Sequence, residues 1–365
     1  MICISWLGLT PYAAKCIRAF CESCEDKVKV VQLPARRFVH GNLCEMCGCE
    51  ILDVERDDKR ALTEVVGCVP NVFVLAGWYA PSLVRWAKEV KHNGGIVILA
   101  SDEAFTGKTL KQYLRKFRFL VQYNRWIDKV FVCGKGGLIQ FVDFYGLPPA
   151  KVFIGNYAAD SNVFFNGPPL NERANRFIYV GKFDENKNIL LLCEAFRRVH
   201  AAHPEWEFEI CGNGPLERDV GRYAGIEKWT ADVSEKGNGF ILTGFVDNAK
   251  LGEKYRNARC FVLGSKRERW GVVVHEAAAS GCMLLLSRNV GSRYDFATEE
   301  NSAIFDPHSI DDAVAAMERI VSFDSVSLDA AQNTSVTLSA KFSPAIYAHN
   351  LKQAIVSLTN QTNGE

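Results

Sequence analysis

The sequence predicts a doubly wound α/β protein built from two Rossmann-like domains that face a central cleft. Short apolar segments alternate with amphipathic segments along most of the chain, a pattern typical of parallel strands joined by helices. The alternation stops at a polar, turn-rich stretch near residues 166–171 and then starts again. A chain of 365 residues is long enough for two domains of ordinary size.

The first predicted domain covers residues 1–165. Its strands are expected at 1–7, 27–33, 71–76, 95–100, 128–133 and 151–154. Helices are expected at 11–24, with Thr10 as N-cap and Pro11 in the first turn, and at 81–91. Residues 34–68 show no clear period and are expected to form a loop with short helices.

The second half repeats the pattern after a linker at residues 166–174, and its domain covers 175–342. Strands are expected at 176–180, 206–211, 239–243, 259–263 and 282–287. Helices are expected at 188–203, around Glu276, at 311–321 and at 343–358.

Composition narrows the class of protein. Hydrophobic residues make up 48% and charged residues 23%, which is typical of a globular chain. The net charge of +1 argues against a general nucleic-acid binder. The 13 cysteines include several inside apolar strand-like runs, which favours a reducing cytosol over a disulfide framework. Because we find no run of about 20 apolar residues, we expect a soluble or peripheral protein in the cytoplasm.

The most informative stretch runs from Lys266 to Gly281, after an apolar strand. Gly271 breaks it into a loop and a small-residue helix, and Glu268 and Glu276 are separated by seven residues. Ligands bind at the carboxyl ends of parallel strands, and helix N-termini there suit phosphate. Two carboxylates repel phosphate, so they must face hydroxyls or a positive centre. A nucleotide-sugar offers a ribose diol, sugar hydroxyls and a diphosphate.

This pattern, E-x7-E followed by A-x-A-S-G, resembles the donor site of the retaining glycosyltransferases of the GT-B fold, family 4. The resemblance implies that Glu268 contacts the donor sugar, that Glu276 holds the ribose hydroxyls, and that Trp270, Gly271 and Val272 line the donor. It further implies that residues 343–365 cross back to the first domain, and that transfer needs no metal or cofactor. The plain alternative is a helix with an acid in its first turn, favoured by the helix dipole.

Two lysines, Lys182 and Lys187, lie in the loop after the strand at 176–180. Both could reach a diphosphate leaving group and neutralise the charge that develops on it. The family usually has Arg at the position of Lys182 and Lys at that of Lys187, so the resemblance implies a catalytic role for both. A solvated turn with ordinary lysines is the alternative.

Two further loops follow strands in the second half. Gly212 and Gly214 form a tight turn that allows close approach of a ligand, and the resemblance places them beside the nucleotide. The segment with Gly244, Phe245 and Val246 resembles the one that flanks the base. Four loops at the carboxyl ends of strands therefore converge on one crevice.

On the acceptor side, two positions depart from the family pattern. The first loop has Thr10 and Pro11 where a glycine pair is usual, and Ser101 stands where a His is common. Asp102 and Glu103 follow Ser101 and are candidates for acceptor contacts, with a helix N-cap as the alternative. Thr10, Ser101, Asp102 and Glu103 are thus the acceptor-side candidates.

Residues 108–126 read as an amphipathic helix. Cations occupy one face (Lys108, Lys111, Arg115, Arg118 and Arg125), and apolar side chains occupy another (Leu110, Leu114, Phe117 and Val121). Such a helix suggests a contact with an anionic membrane or a phosphate-bearing acceptor, and a solvated helix face explains it equally well.

Two cysteine pairs, Cys21 with Cys24 and Cys44 with Cys47, have the spacing of a zinc ribbon. Core packing explains the first pair without a metal, and we predict no metal site.

The resemblance therefore implies a retaining glycosyltransferase that moves a sugar from a UDP- or GDP-sugar to a glycan or lipid-linked saccharide. From the family's habits and the basic helix we further expect a role in surface polysaccharide synthesis, at the inner face of the membrane. Two alternatives stay open: a GT-B sugar-nucleotide epimerase, and a nucleotide-sugar-binding protein with impaired turnover. A dinucleotide dehydrogenase is disfavoured because no strand is followed by G-x-G-x-x-G.

Overall fold

The computed structural model describes residues 1–33, 43–78, 80–227 and 229–362. The chain divides into two compact units, the first formed by Met1–Ala158 with Phe342–Glu365 and the second by Ala159–Lys341. The predicted linker, 166–174, lies inside the second unit, and the division falls between Ala158 and Ala159. Of the loop predicted at 34–68, residues 34–42 lie outside the described residues.

The first unit is built around one parallel sheet in the order β3-β2-β1-β4-β5-β6-β7. Its strands are β1 (Ile2–Leu7), β2 (Val28–Leu33), β3 (Glu50–Asp53), β4 (Val72–Ala76), β5 (Ile96–Ser101), β6 (Lys129–Val132) and β7 (Val152–Ile154). Every strand predicted in this half is confirmed to within two residues. The short edge strand β3 was missed, because its side chains are only partly buried and carry no strong apolar pattern.

Helices alternate with these strands. They are α1 (Pro11–Ser23), α2 (Leu43–Cys47), α3 (Leu62–Val66), α4 (Pro81–His92), α5 (Leu110–Arg118) and α6 (Lys135–Leu138). Prolines at the first helical position start α1 and α4 as predicted. Thr10 occupies the N-cap position of α1 as predicted, although its hydroxyl makes no capping hydrogen bond.

The second unit has the sheet order β10-β11-β9-β8-β12-β13-β14. Its strands are β8 (Ala174–Val180), β9 (Glu207–Cys211), β10 (Glu235–Gly237), β11 (Phe240–Gly244), β12 (Ala258–Leu263), β13 (Met283–Ser287) and β14 (Ser302–Phe305). All neighbours are parallel except β10, which pairs antiparallel with β11. Two doubly wound units confirm the predicted fold class.

The helices of this unit are α7 (Ile189–Ala202), α8 (Glu217–Tyr223), α9 (Asn248–Arg256), α10 (Val272–Ala279), α11 (Arg293–Phe296), α12 (Ile310–Val321) and α13 (Ser325–Ser339). The last helix, α14 (Pro344–Thr362), belongs to the first unit and packs along α1. Among the helices of the described ranges, none combines the length and apolar character needed to span a bilayer.

Candidate functional site

The centre of the second sheet brings together two loops that the sequence singled out. β8 and β12 are adjacent, yet the chain leaves β8 towards β9 and leaves β12 towards β13, in opposite directions along the sheet. Such a switch in strand order opens a crevice at the carboxyl ends of the two strands, which is the usual ligand site of open α/β sheets. The loops that flank it carry Lys182 and Lys187 on one side and Glu268 on the other.

The loop after β8 is fixed by its own polar contacts. The Tyr179 hydroxyl donates to the Lys182 carbonyl at 2.7 Å, and the backbone N–H of Lys187 donates to Asp184 Oδ1 at 2.9 Å. Asn188 adopts the left-handed conformation (φ 60°), which turns the chain into α7. The loop therefore presents Lys187 at a defined position beside the crevice.

Lys187 and Glu268 form an ion pair across the crevice, although they are 81 residues apart in sequence. Ser265 also donates to the same Glu268 oxygen, at 3.2 Å. Two hydrogen bonds tie the loops together: the Lys266 backbone N–H donates to the Asn186 carbonyl at 2.8 Å, and the Asn186 side-chain amide donates to the Arg267 carbonyl at 3.0 Å. The structure thus brings two of the three predicted catalytic residues into contact.

Lys182 has a looser setting. Its ammonium lies 3.4 Å from Asp184 Oδ2, and its side chain is more exposed than that of Lys187. Lys182 therefore pairs with Asp184 of the same loop and takes no part in the ion pair between Lys187 and Glu268.

A third loop supports Glu268 from behind. The Glu268 N–H donates to the Asn289 carbonyl at 3.2 Å, and the Gly291 N–H donates to the Glu268 carbonyl at 3.0 Å. Sequence reasoning assigned no role to this loop or to Ser265, because neither carries a distinctive motif. Their part is to hold the backbone and carboxylate of Glu268 in place.

Gly271 sets the start of α10. Its φ of 85° is in the left-handed region, and a Cβ there would lie 3.0 Å from Glu268 Cγ, so glycine is required beside the acid.

Trp270 is buried, and its indole N–H donates to Asp295 Oδ2 at 3.1 Å. The Trp270 side chain therefore faces the protein interior, while Val272 is half-buried at the first helical position.

Glu276 lies on α10 and is buried. Burial raises its pKa to about 7, and the hydrogen bond that it accepts from the Tyr255 hydroxyl at 3.3 Å offsets only part of that rise. The Glu276 carboxylate oxygens can therefore accept further hydrogen bonds beside the one from Tyr255. Hydroxyls of a bound ligand would supply the missing donors.

The neighbouring His275 connects α10 to residues near the start and near the end of the second unit. The Ala159 N–H donates to its Nδ1 at 2.9 Å, and its Nε2 lies 3.1 Å from the Ser339 carbonyl. Burial lowers its pKa to about 4, so the ring is neutral at pH 7 and donates from Nε2.

Gly212 and Gly214 pack against the β8 loop. A Cβ on Gly212 would lie 1.9 Å from the Gly181 carbonyl oxygen, and one on Gly214 would lie 2.5 Å from the Phe183 carbonyl oxygen. The protein's own backbone thus occupies the space that these glycines leave open. Their visible role is to let the loops after β8 and β9 approach each other, as the hydrogen bond from Phe183 N–H to the Asn213 carbonyl (2.8 Å) shows.

The loop after β11 offers an exposed ring. Phe245 is 64% exposed, and Val246 beside it is half-buried. Gly244 has φ 75°, and a Cβ there would lie 1.9 Å from the Ala231 carbonyl oxygen. A ring held out from a rigid turn suits stacking on a planar base.

The acceptor-side candidates lie at the end of β5 or in the loops just after β1 and β5, in the first unit. Ser101 is buried and accepts a hydrogen bond from Glu103 N–H at 3.2 Å, and Glu103 forms an ion pair with Arg115 of α5. The helix after this loop is capped by Thr109, so the N-cap alternative for Asp102 and Glu103 was wrong. Thr10 has a buried hydroxyl without a hydrogen-bond partner.

The paired cysteines do not assemble a metal centre in the part of the chain that the structure describes. Within those ranges no group of three or more His, Cys, Asp or Glu side chains is placed to hold an ion. Cys44 is exposed and Cys47 is buried, so the two thiols of that pair face different surroundings.

Comparisons with solved structures give the class of the fold. A glycosyltransferase from Rickettsia africae ESF-5 is 11% identical, with a TM-score of 0.74 and coverage of 98% of both chains. Anabaena Alr3699/HepE, solved in complex with UDP and glucose, is 11% identical, with a TM-score of 0.70 over 98% of this chain and 99% of that one. At this identity the likeness shows the fold, which is that of the GT-B glycosyltransferases.

Sequence comparison finds its similarities in the second half of the chain. Residues 160–335 match the model of the family Glycosyl transferases group 1. Sulfoquinovosyl transferase SQD2 of Arabidopsis thaliana is 26% identical over 148 residues, which is 40% of this chain. The aligned stretch spans about a quarter (26%) of that relative's length. The similarity to this family therefore lies within the second unit.

Proposed function

We propose that the protein is a retaining glycosyltransferase that moves a sugar from a nucleotide-diphosphate sugar to a saccharide acceptor. The observation that carries this proposal is the ion pair between Lys187 and Glu268 at the switch point of the second sheet. A positive and a negative group side by side suit a ligand that has both a diphosphate and hydroxyls. Glu276 on the adjoining helix supplies an acceptor for a second set of hydroxyls.

The pair suggests how the donor enters. Without a ligand, Lys187 and Glu268 neutralise each other across the crevice. An arriving diphosphate competes for Lys187, because phosphate oxygens carry more negative charge than one carboxylate. Glu268, still held by Ser265, is then available to accept hydrogen bonds from sugar hydroxyls. Donor binding exchanges one ion pair for two sets of contacts.

The chemical step needs charge stabilisation on the leaving group. The bond between the anomeric carbon and the phosphate oxygen breaks, and the departing diphosphate takes the electron pair. The acceptor hydroxyl forms the new bond on the same face and gives its proton to the departing phosphate oxygen. Lys187, with Lys182 nearby in the loop, stabilises the developing charge. Retention is part of the proposal because the motif resembles that of retaining enzymes.

The similar proteins suggest which sugar donors to test first. The Anabaena structure contains UDP and glucose, and the Arabidopsis relative is a sulfoquinovosyl transferase. We therefore propose a UDP-sugar as the first donor to test, with a GDP-sugar next. The acceptor is proposed to be a glycan or a lipid-linked saccharide in surface polysaccharide synthesis, and the reaction is proposed to need no metal or cofactor.

The first measurement is a thermal-shift panel with UDP, GDP, ADP and dTDP and their common sugars. A nucleotide at about 100 times its Kd should stabilise the folded state by about 2.7 kcal/mol and raise the Tm accordingly. We expect one base to give this shift and Glu276→Ala to abolish it. Glu253→Ala removes an exposed carboxylate from α9 and is the matched control. A flat response to the whole panel would rule out a donor site.

A further inference from the structure

Helix α5 in the first unit presents its apolar side chains to solvent. The exposed fractions are 77% for Leu110, 61% for Leu114, 68% for Phe117 and 56% for Val121, which lies just beyond the helix. These residues are spaced by three or four positions, so they form one continuous stripe, here called the α5 apolar stripe. A contiguous apolar surface of this kind on a folded protein marks an interaction site.

The inward side of the same helix is largely polar. Gln112 is buried and donates to Thr106 Oγ1 at 2.7 Å, and Arg115 pairs with Glu103. Lys116 donates to the Phe144 carbonyl at 2.6 Å. The helix is therefore held to the domain through these polar contacts, with its apolar stripe turned away from the core.

Cations run along one edge of the stripe. Lys111 and Arg118 are seven residues apart in α5, which places them on nearly the same side of the helix, and Arg125 follows beyond the helix end. All three are exposed, and the sequence from Leu110 to Trp126 contains no Asp or Glu. Arg125 lies over the Trp126 ring, with 4.5 Å from its guanidinium carbon to the ring centroid. The charge of the edge thus suits a negatively charged surface.

A cavity of about 330 Å³ opens beside this edge. It is lined by Arg85, Lys88 and Arg118 together with the rings of Trp78 and Tyr123. Among the described residues that line it, none is a carboxylate. A cavity with three cations and aromatic walls fits a phosphate-bearing headgroup.

We propose that the α5 apolar stripe docks into the surface of an anionic phospholipid bilayer, with Lys111, Arg118 and Arg125 on the headgroups. An apolar stripe with cations along its edge is the pattern of helices that lie in the membrane interface. The ion pair between Arg115 and Glu103 connects the docked helix to the loop of the acceptor-side candidates. If the proposed function holds, docking would bring that loop to a lipid-linked acceptor, but the membrane contact does not depend on it.

The test is co-sedimentation of the full chain with phospholipid vesicles. We expect binding to vesicles of phosphatidylcholine with roughly one third phosphatidylglycerol, weaker binding as salt rises, and little binding to pure phosphatidylcholine. Leu114→Ser with Phe117→Ser should weaken binding by about tenfold or more, since two inserted side chains are lost. Lys111→Gln with Arg125→Gln should weaken binding and flatten its salt dependence. All four positions are exposed, so the variants should fold, which circular dichroism checks.

The matched control is Val326→Ser with Val233→Ser, two exposed apolar positions of the second unit. Its binding should equal that of the wild type. Unchanged binding in the Leu114/Phe117 variant would overturn the proposal, as would the absence of binding to anionic vesicles. Self-association that the same variant abolishes would assign the stripe to a second copy of the chain instead. Nucleotide thermal shifts report on the second unit, so failure here is distinguishable from failure of the proposed function.

Discussion

Replacing Lys187 with alanine is expected to lower turnover by about 10²–10³-fold, the usual cost of removing one group that stabilises charge in a transition state. Lys187 is the cation that the structure places against Glu268 in the crevice between the loops after β8 and β12. Negative charge on the departing diphosphate is greatest as the bond to the sugar breaks. The loss should therefore fall on kcat more than on donor affinity.

The measurement is release of the nucleoside diphosphate from the sugar donor that the thermal-shift panel selects, with donor Kd determined separately. Lys187→Arg keeps the charge and should retain more activity than the alanine variant. Lys182→Ala, in the same loop but drawn to Asp184, should cost less. Wild-type turnover in Lys187→Ala would remove Lys187 from the mechanism. An equal loss in Kd and none in kcat would reduce its role to ground-state binding.

Replacing Glu276 with glutamine is expected to stabilise the fold at pH 8 by about 3 kcal/mol, following from a pKa raised to about 7. A carboxyl whose pKa is higher in the folded than in the unfolded state makes folding less favourable as it ionises. The stability that the protonated carboxyl contributes is fully present below about pH 4.5 and is lost as the pH rises through about 7. Glutamine has no such proton to lose.

Urea unfolding of the wild type and Glu276→Gln at pH 5 and pH 8 measures this difference. The variant should gain stability over the wild type at pH 8 and much less at pH 5, while its nucleotide affinity falls because an amide accepts hydrogen bonds less well than a carboxylate. Glu209→Gln is the control variant. Glu209 is also buried, but it forms ion pairs with Arg176 and Lys254, so its replacement should destabilise the fold. Equal stability of Glu276→Gln and wild type at both pH values would show that burial does not perturb this carboxyl.

Much of the fold could be predicted because buried parallel strands are short apolar runs bounded by turns. β8, β9, β12 and β13 were each predicted to within two residues. The edge strands β10 and β14 were missed because they are short, and β10 is exposed. The helix α13 was missed because its Ser- and Thr-rich sequence has low helix propensity and a weak apolar face.

The candidate site was predictable as a set of loops but not as a set of contacts. Strand ends placed Lys187 and Glu268 at the same edge of a sheet, whereas their ion pair depends on the order of strands, which no local pattern encodes. Trp270 lies in a loop between candidate residues, yet its partner Asp295 is distant in sequence, so its burial could not be foreseen.

The two hydrogen bonds of His275 have a consequence for how the second unit could be moved between proteins. Ala159 and Ser339 lie at or near the points where the chain enters and leaves this unit, and one imidazole ring bridges them. In sequence, the second unit is therefore an insertion within the first, and the residues near its start and end lie close together. We expect that residues 159–341 can be excised, or grafted into a loop of another protein, with little strain on their ends.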